Sequence, residues 1–178
     1  HSWGSVVAYE GLSKGGEVSL FLSQNPLLQK QITLATLGAG LNRVRIMVEG
    51  SRSPHAKPRL TRPLIPSILW LNLYSRYDPV CAGRLDPELK AMSGLPDASI
   101  TERRVINLDD PINDHGAYWN NTELVVPRLV RAINGGNAYP FPEATLQPRM
   151  VQHRLTTVAK IATLRLLFSF TSIANAIA

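Results

Sequence analysis

Three side chains, far apart in the chain, carry the chemistry that this sequence could perform. Ser2 stands in His1-Ser2-Trp3-Gly4-Ser5, at the head of the apolar stretch Val6 to Leu12. Asp78 follows the long apolar run Ile68 to Tyr74 by four residues, and His115 lies in a polar loop after another strand-like segment. A neutral serine is a poor nucleophile until a base takes its proton, and an imidazole serves as that base when a carboxylate holds it. Other residues compete for these parts. Asp86, Asp109 and Asp110 are alternative acids, and His1, His55 and His153 are alternative histidines. His115 has a purely structural reading too, as a loop histidine satisfied by its neighbour Asp114. Cys81, the single cysteine, reads as a small buried residue rather than a nucleophile, and it leaves neither an internal disulfide nor a structural zinc cluster.

The elements that must position these residues follow from local pattern. Val6 to Leu12 reads as a helix with an apolar stripe, ended by Gly15-Gly16. Val18 to Leu28 fits helix or loop. Gln31 to Leu37, β-branched and closed by Gly38-Ala39-Gly40, predicts a strand. From Leu41 to Pro66 the pattern breaks into Ser, Pro, Arg and Lys, which predicts a long irregular segment. Ile68 to Tyr74 is a nearly continuous apolar run, which suits a parallel strand covered on both faces. Pro87 to Met92 predicts a short helix and Ile100 to Leu108 a third strand. Asn120 or Asn121 can cap a helix over Thr122 to Ile133, with Leu124, Val125, Leu129, Val130 and Ile133 on its buried side. Capping explains Asn120-Asn121-Thr122 more simply than its match to a glycosylation acceptor. Strands alternating with helices give an α/β fold with a parallel sheet.

His-Ser-Trp-Gly-Ser before an apolar helix resembles the nucleophile elbow, Gly-x-Ser-x-Gly, of the α/β-hydrolases, without its leading glycine. The elbow places the serine on a strained turn between strand and helix, where small neighbours such as Gly4 let the backbone pack tightly. Triad members in that family run Ser, then Asp or Glu, then His, each at the C-terminal end of a strand. Ser2, Asp78 and His115 match that order and placing, over roughly Ser2 to Ile133. The resemblance implies a partial α/β-hydrolase fold over residues 1–142, the C-terminal half of such a domain. It implies a serine hydrolase of carboxylic esters, esterase- or lipase-like, needing no metal or cofactor. Ser2 would attack the acyl carbon, His115 would carry the proton to the leaving group, and Asp78 would orient His115. The Trp3 backbone N–H would be half of an oxyanion hole at a helix N-terminus. Residues 41–66 fall where the family commonly inserts a lid, so their basic side chains would lie near the mouth of the site. The upstream strands and the second oxyanion donor would precede His1, so a chain beginning there is expected to be nearly inactive by itself.

Composition bounds the remaining possibilities. The chain has 178 residues, 44% hydrophobic and 18% charged, as a folded protein does. It opens on His1 with no leader before the motif, and reads as a fragment or processed product. The net charge is +6. Arg43, Arg45, Arg52, Lys57, Arg59 and Arg62 cluster, opposed only by Glu49. Without zinc-finger spacing, an RNA-binding motif or a helix-turn-helix, nucleic acid is not the expected partner. The cluster reads as a solvated loop, or as a surface meeting anionic lipid or substrate. Residues 143–178 read as a helical tail; Ala162 to Ala178, with Arg165 its only charge, is shorter than the roughly 20 residues of a membrane span. That tail fits a docking helix, a membrane-surface helix or a cut-short span. Two rival functions follow: a non-catalytic hydrolase-like binding module, and a membrane-associated interaction domain.

Overall fold

A computed structural model describes residues 1–28, 32–49, 60–75, 78–81, 83–107 and 114–134, with residues 155, 159, 162 and 163. The three expected strands form, as β1 (Ile32–Leu37), β2 (Ile68–Ser75) and β3 (Ile100–Val105). They pair parallel in the order β1-β2-β3, with Ile32 opposite Ile68 and Trp70 opposite Ile100. The chain is therefore mixed α/β, with the apolar run as the central strand. A parallel strand needs a crossover to reach its neighbour, and helices in those crossovers cover the sheet. α1 (Gly4–Leu12) and α2 (Glu17–Gln24) precede β1; α3 (Leu41–Glu49) and α4 (Pro87–Ser93) lie in the two crossovers; α5 (Val126–Ile133) comes last.

Alternation along the strands divides the core in two. Leu34, Ile68 and Trp70 pack with Val6, Tyr9, Leu12, Leu41, Leu64 and Leu89 on one side. Leu37, Leu73 and Val105 pack with Ile106, Tyr118, Leu124 and Val125 on the other. Thr36 and Asn72, polar groups caught in this interior, are paired with one another and with Trp70. The Trp70 indole donates to Thr36 Oγ1 at 3.0 Å, and that hydroxyl donates to Asn72 Oδ1 at 2.8 Å.

Four expectations are corrected. Leu41–Glu49 is helix α3, not the start of an irregular segment. Its pattern was hidden because polar residues face inward: Asn42 Nδ2 donates to the Arg84 carbonyl and Asn42 Oδ1 accepts from Asp86 N–H. Arg45 pairs with Asp86 at 2.9 Å and with Glu88, Arg43 donates to the Pro79 carbonyl, and Arg62 pairs with Glu10 at 3.3 Å. These three arginines are tied to the body rather than merely solvated, and Leu60 and Leu64, on either side of Arg62, are buried. Arg52, His55, Lys57 and Arg59, the middle of the lid-like segment, lie outside the described residues. Secondly, β3 stops at Val105, three residues before Leu108. Thirdly, α1 ends at Ser13 in extended backbone, and the left-handed Gly15 (φ 79°) turns the chain two residues later. Lastly, α5 begins only at Val126, because Pro127 fits the first turn of a helix and the preceding residues form turns. Leu124 and Val125 are buried before the helix starts, whereas Ile133 is 79% exposed. Val18 to Leu28 resolves into α2 and a short 3-10 turn at Pro26–Leu28. Gly135, Gly136 and most of the expected tail helix lie outside the described residues. Among those described, no helix is long and apolar enough to cross a membrane.

Candidate active site

Parallel strands send their C-terminal ends to one edge of the sheet, and the chemistry-bearing residues gather there. Ser2 meets the end of β1: its N–H donates to the Leu37 carbonyl at 3.1 Å, and its carbonyl accepts from Gly40 N–H at 3.3 Å. Ser2 holds φ at 57°, a left-handed conformation that a residue with a Cβ adopts only at a cost. It leads into α1, whose first turn has no side-chain cap. Gly4, Ser5 and Val6 N–H donate to the carbonyls of His1, Ser2 and Trp3. Among the described residues the Trp3 N–H has no hydrogen-bond acceptor, beside Ser2 at the positive end of the helix dipole. The Trp3 ring lies over Gly40, where a Cβ would meet it at 3.3 Å.

Asp78 follows β2 and its side chain is fully buried. Oδ1 accepts from Val80 N–H at 2.7 Å and Cys81 N–H at 3.3 Å, which fixes the carboxylate. His115 follows β3 and presents Nδ1 to both oxygens of Asp78, at 3.0 and 2.9 Å. Asp78, not Asp114, is thus its partner. Asp86 is occupied elsewhere, accepting from Glu88 N–H at the start of α4 and pairing with Arg45. Asp109, Asp110, His55 and His153 lie outside the described residues. Among those described, no hydrogen bond joins Ser2 Oγ to His115.

Gly38, in the turn after β1, makes the assembly possible. Its φ is 52°, and a Cβ there would collide with Asp78 Oδ2, lie 2.8 Å from Tyr118 Cε2 and 3.2 Å from His115 Nδ1. Gly38→Ala is expected to destabilise the fold by about 2–4 kcal/mol, from left-handed strain and overpacking together. It should also displace the Asp78–His115 pair. A thermal melt checks the first effect, and NMR of the His115 ring protons checks the second.

Sequence reading missed the support beneath this pair. The Tyr118 hydroxyl accepts from Ser75 N–H at 2.7 Å, and burial raises its pKa far above the usual phenol range, with Cys81 and Asp78 adding to the shift. Cys81 is 2% exposed, and burial pushes its thiol up to about 11, which fits the small buried residue expected of it. Neither Asn120 nor Asn121 caps α5, whose N-cap is Val125 without a side-chain bond. Asn121 instead ties down the turn before it, with Oδ1 accepting from Leu124 N–H at 2.8 Å while Nδ2 donates to the Ile106 carbonyl and to Asn107 Oδ1. Asp114 is 2% exposed, and its Oδ2 has no hydrogen-bond partner among the described residues. Burial raises the Asp114 pKa and the charge of Asp78 adds to this, against hydrogen bonds from Ser75 and Asn107. The unfolded chain therefore releases this proton at lower pH than the folded one. Stability falls as pH rises between those two values and levels off above the folded one. Asp114→Asn removes that dependence, so its stability relative to the natural protein should increase with pH through the carboxylate range in denaturant titrations.

Among the described residues no three His, Cys, Asp or Glu side chains are grouped to hold a metal ion. The arrangement offers a strained serine, a helix N–H beside it, and a carboxylate-held imidazole at one sheet edge. No protein-family model matches this chain, and neither does any characterised protein or solved structure.

Proposed function

We propose that this chain carries the catalytic triad of an α/β-hydrolase-like serine hydrolase acting on carboxylic esters. One observation carries the reading: Ser2, in left-handed backbone at the start of a helix, shares a sheet edge with the buried Asp78–His115 pair. In this mechanism His115 takes the Ser2 proton at Nε2 as Oγ attacks the acyl carbon. Asp78 stabilises the imidazolium that results, and His115 then protonates the leaving alcohol. The Trp3 N–H donates to the oxygen of the tetrahedral intermediate, where charge develops. Water repeats the sequence to release the acid.

A second reading, the non-catalytic binding module, draws on the absence of a Ser2 Oγ–His115 hydrogen bond. Turnover of a short-chain p-nitrophenyl ester by the full-length protein decides between them. Turnover that disappears in Ser2→Ala supports the hydrolase; turnover absent from the natural protein, or unaffected by that change, supports the binding module.

A further inference from the structure

A carboxylate alone does not hold an imidazole in one plane. Asp78 engages only Nδ1 of His115, so the ring can still tilt about that contact. The residue before the nucleophile supplies a second constraint. The His1 ring stacks on the His115 ring, with centroids 4.6 Å apart and planes 23° from parallel. His1 Nε2 lies 2.8 Å from the His115 carbonyl. A carbonyl oxygen only accepts, so Nε2 of His1 carries the proton and donates it. Tyr118 and Trp119 brace His1 in turn, with ring centroids at 5.8 and 5.9 Å. His1 therefore grips both the ring and the backbone of His115, and aromatic rings at its sides limit its own movement.

From this four-ring arrangement we infer that His1 is a positioning residue, which holds the His115 imidazole in the plane needed to exchange a proton with Ser2. The inference rests on the reading of Ser2, Asp78 and His115 as a triad. It extends that reading by joining base to nucleophile through the chain itself: the turn that presents Ser2 also carries the side chain that clamps His115. A shift in the Ser2 turn is then passed to the ring of its base. Misplacement by about 1 Å is enough to lower a rate by about 10²-fold.

The test compares His1→Ala, His1→Phe and His1→Gln in the full-length protein, with Ser2→Ala as control. His1→Ala loses the stack and the donor, His1→Phe keeps an aromatic ring, and His1→Gln keeps a donor. The expected result is a fall of about 10²-fold in kcat for His1→Ala at unchanged KM, with partial recovery in both other variants. Carbon relaxation of the His115 ring should show a more mobile imidazole in His1→Ala and restored order in His1→Phe. Unchanged ring order in His1→Ala overturns the inference whatever the kinetics. So does a His1→Phe and His1→Gln pair no better than His1→Ala. If Ser2→Ala is as active as the natural protein, the hydrolase reading falls instead, and ring order still decides what His1 does to His115.

Discussion

Ser2→Ala is expected to lower kcat for ester hydrolysis by about 10⁶-fold in the full-length protein, and His115→Ala to lower it about as far. The double variant should be little worse than either single one. A base without its nucleophile and a nucleophile without its base are equally disabled, so such losses do not add. What activity remains over water would come from binding and the oxyanion donor. Neither change removes a core side chain, because Ser2 and His115 are both only partly buried. Near-ultraviolet circular dichroism should therefore be preserved while turnover is lost. Steady-state kinetics on the three variants makes the check, and losses that multiply would mean that the two residues do not act as a unit.

Asp78→Asn carries the next largest effect, a fall in kcat of about 10⁴-fold with little change in shape. The reason lies in which atoms surround the carboxylate. Oδ1 accepts from Val80 and Cys81 N–H, so in the variant the amide oxygen takes that side and the NH2 faces His115. Nδ1 then becomes an acceptor, and the imidazole proton moves to Nε2. In the proposed mechanism Nε2 accepts the Ser2 proton, and in that tautomer it cannot. Equal ground-state structure with a 10⁴-fold loss is expected by crystallography and kinetics together. A loss of less than 10-fold would remove Asp78 from the mechanism.

Ser2 was picked out by its motif before an apolar helix, whereas Asp78 and His115 were legible because strand ends can be seen in a sequence. Ile68 to Tyr74 has no charge and few alternatives to a central parallel strand, so the residue placed just beyond it, Asp78, stands at a definable edge. His115 was placed by the same logic after β3. Gly38 was not legible as more than a strand terminator, since its need for a bare Cα arises from Asp78, Tyr118 and His115, remote in sequence. Asp114 gave no sign of its burial because a loop carboxylate is normally solvated. α3 was obscured by Asn42 and Arg45, whose hydrogen bonds substitute for the apolar contacts that periodicity detects. His1 was weighed only as a rival histidine, and its stacking on His115 exists only in three dimensions.

The central claim is that Ser2 is a nucleophile activated by the Asp78–His115 pair. A fluorophosphonate reacts covalently with such a serine, and peptide mass spectrometry of the treated full-length protein locates the adduct. The account predicts one stoichiometric adduct on the peptide containing Ser2, absent from Ser2→Ala and formed far more slowly in His115→Ala. An unlabelled Ser2, or labelling of Ser2 at the same rate without His115, would contradict it.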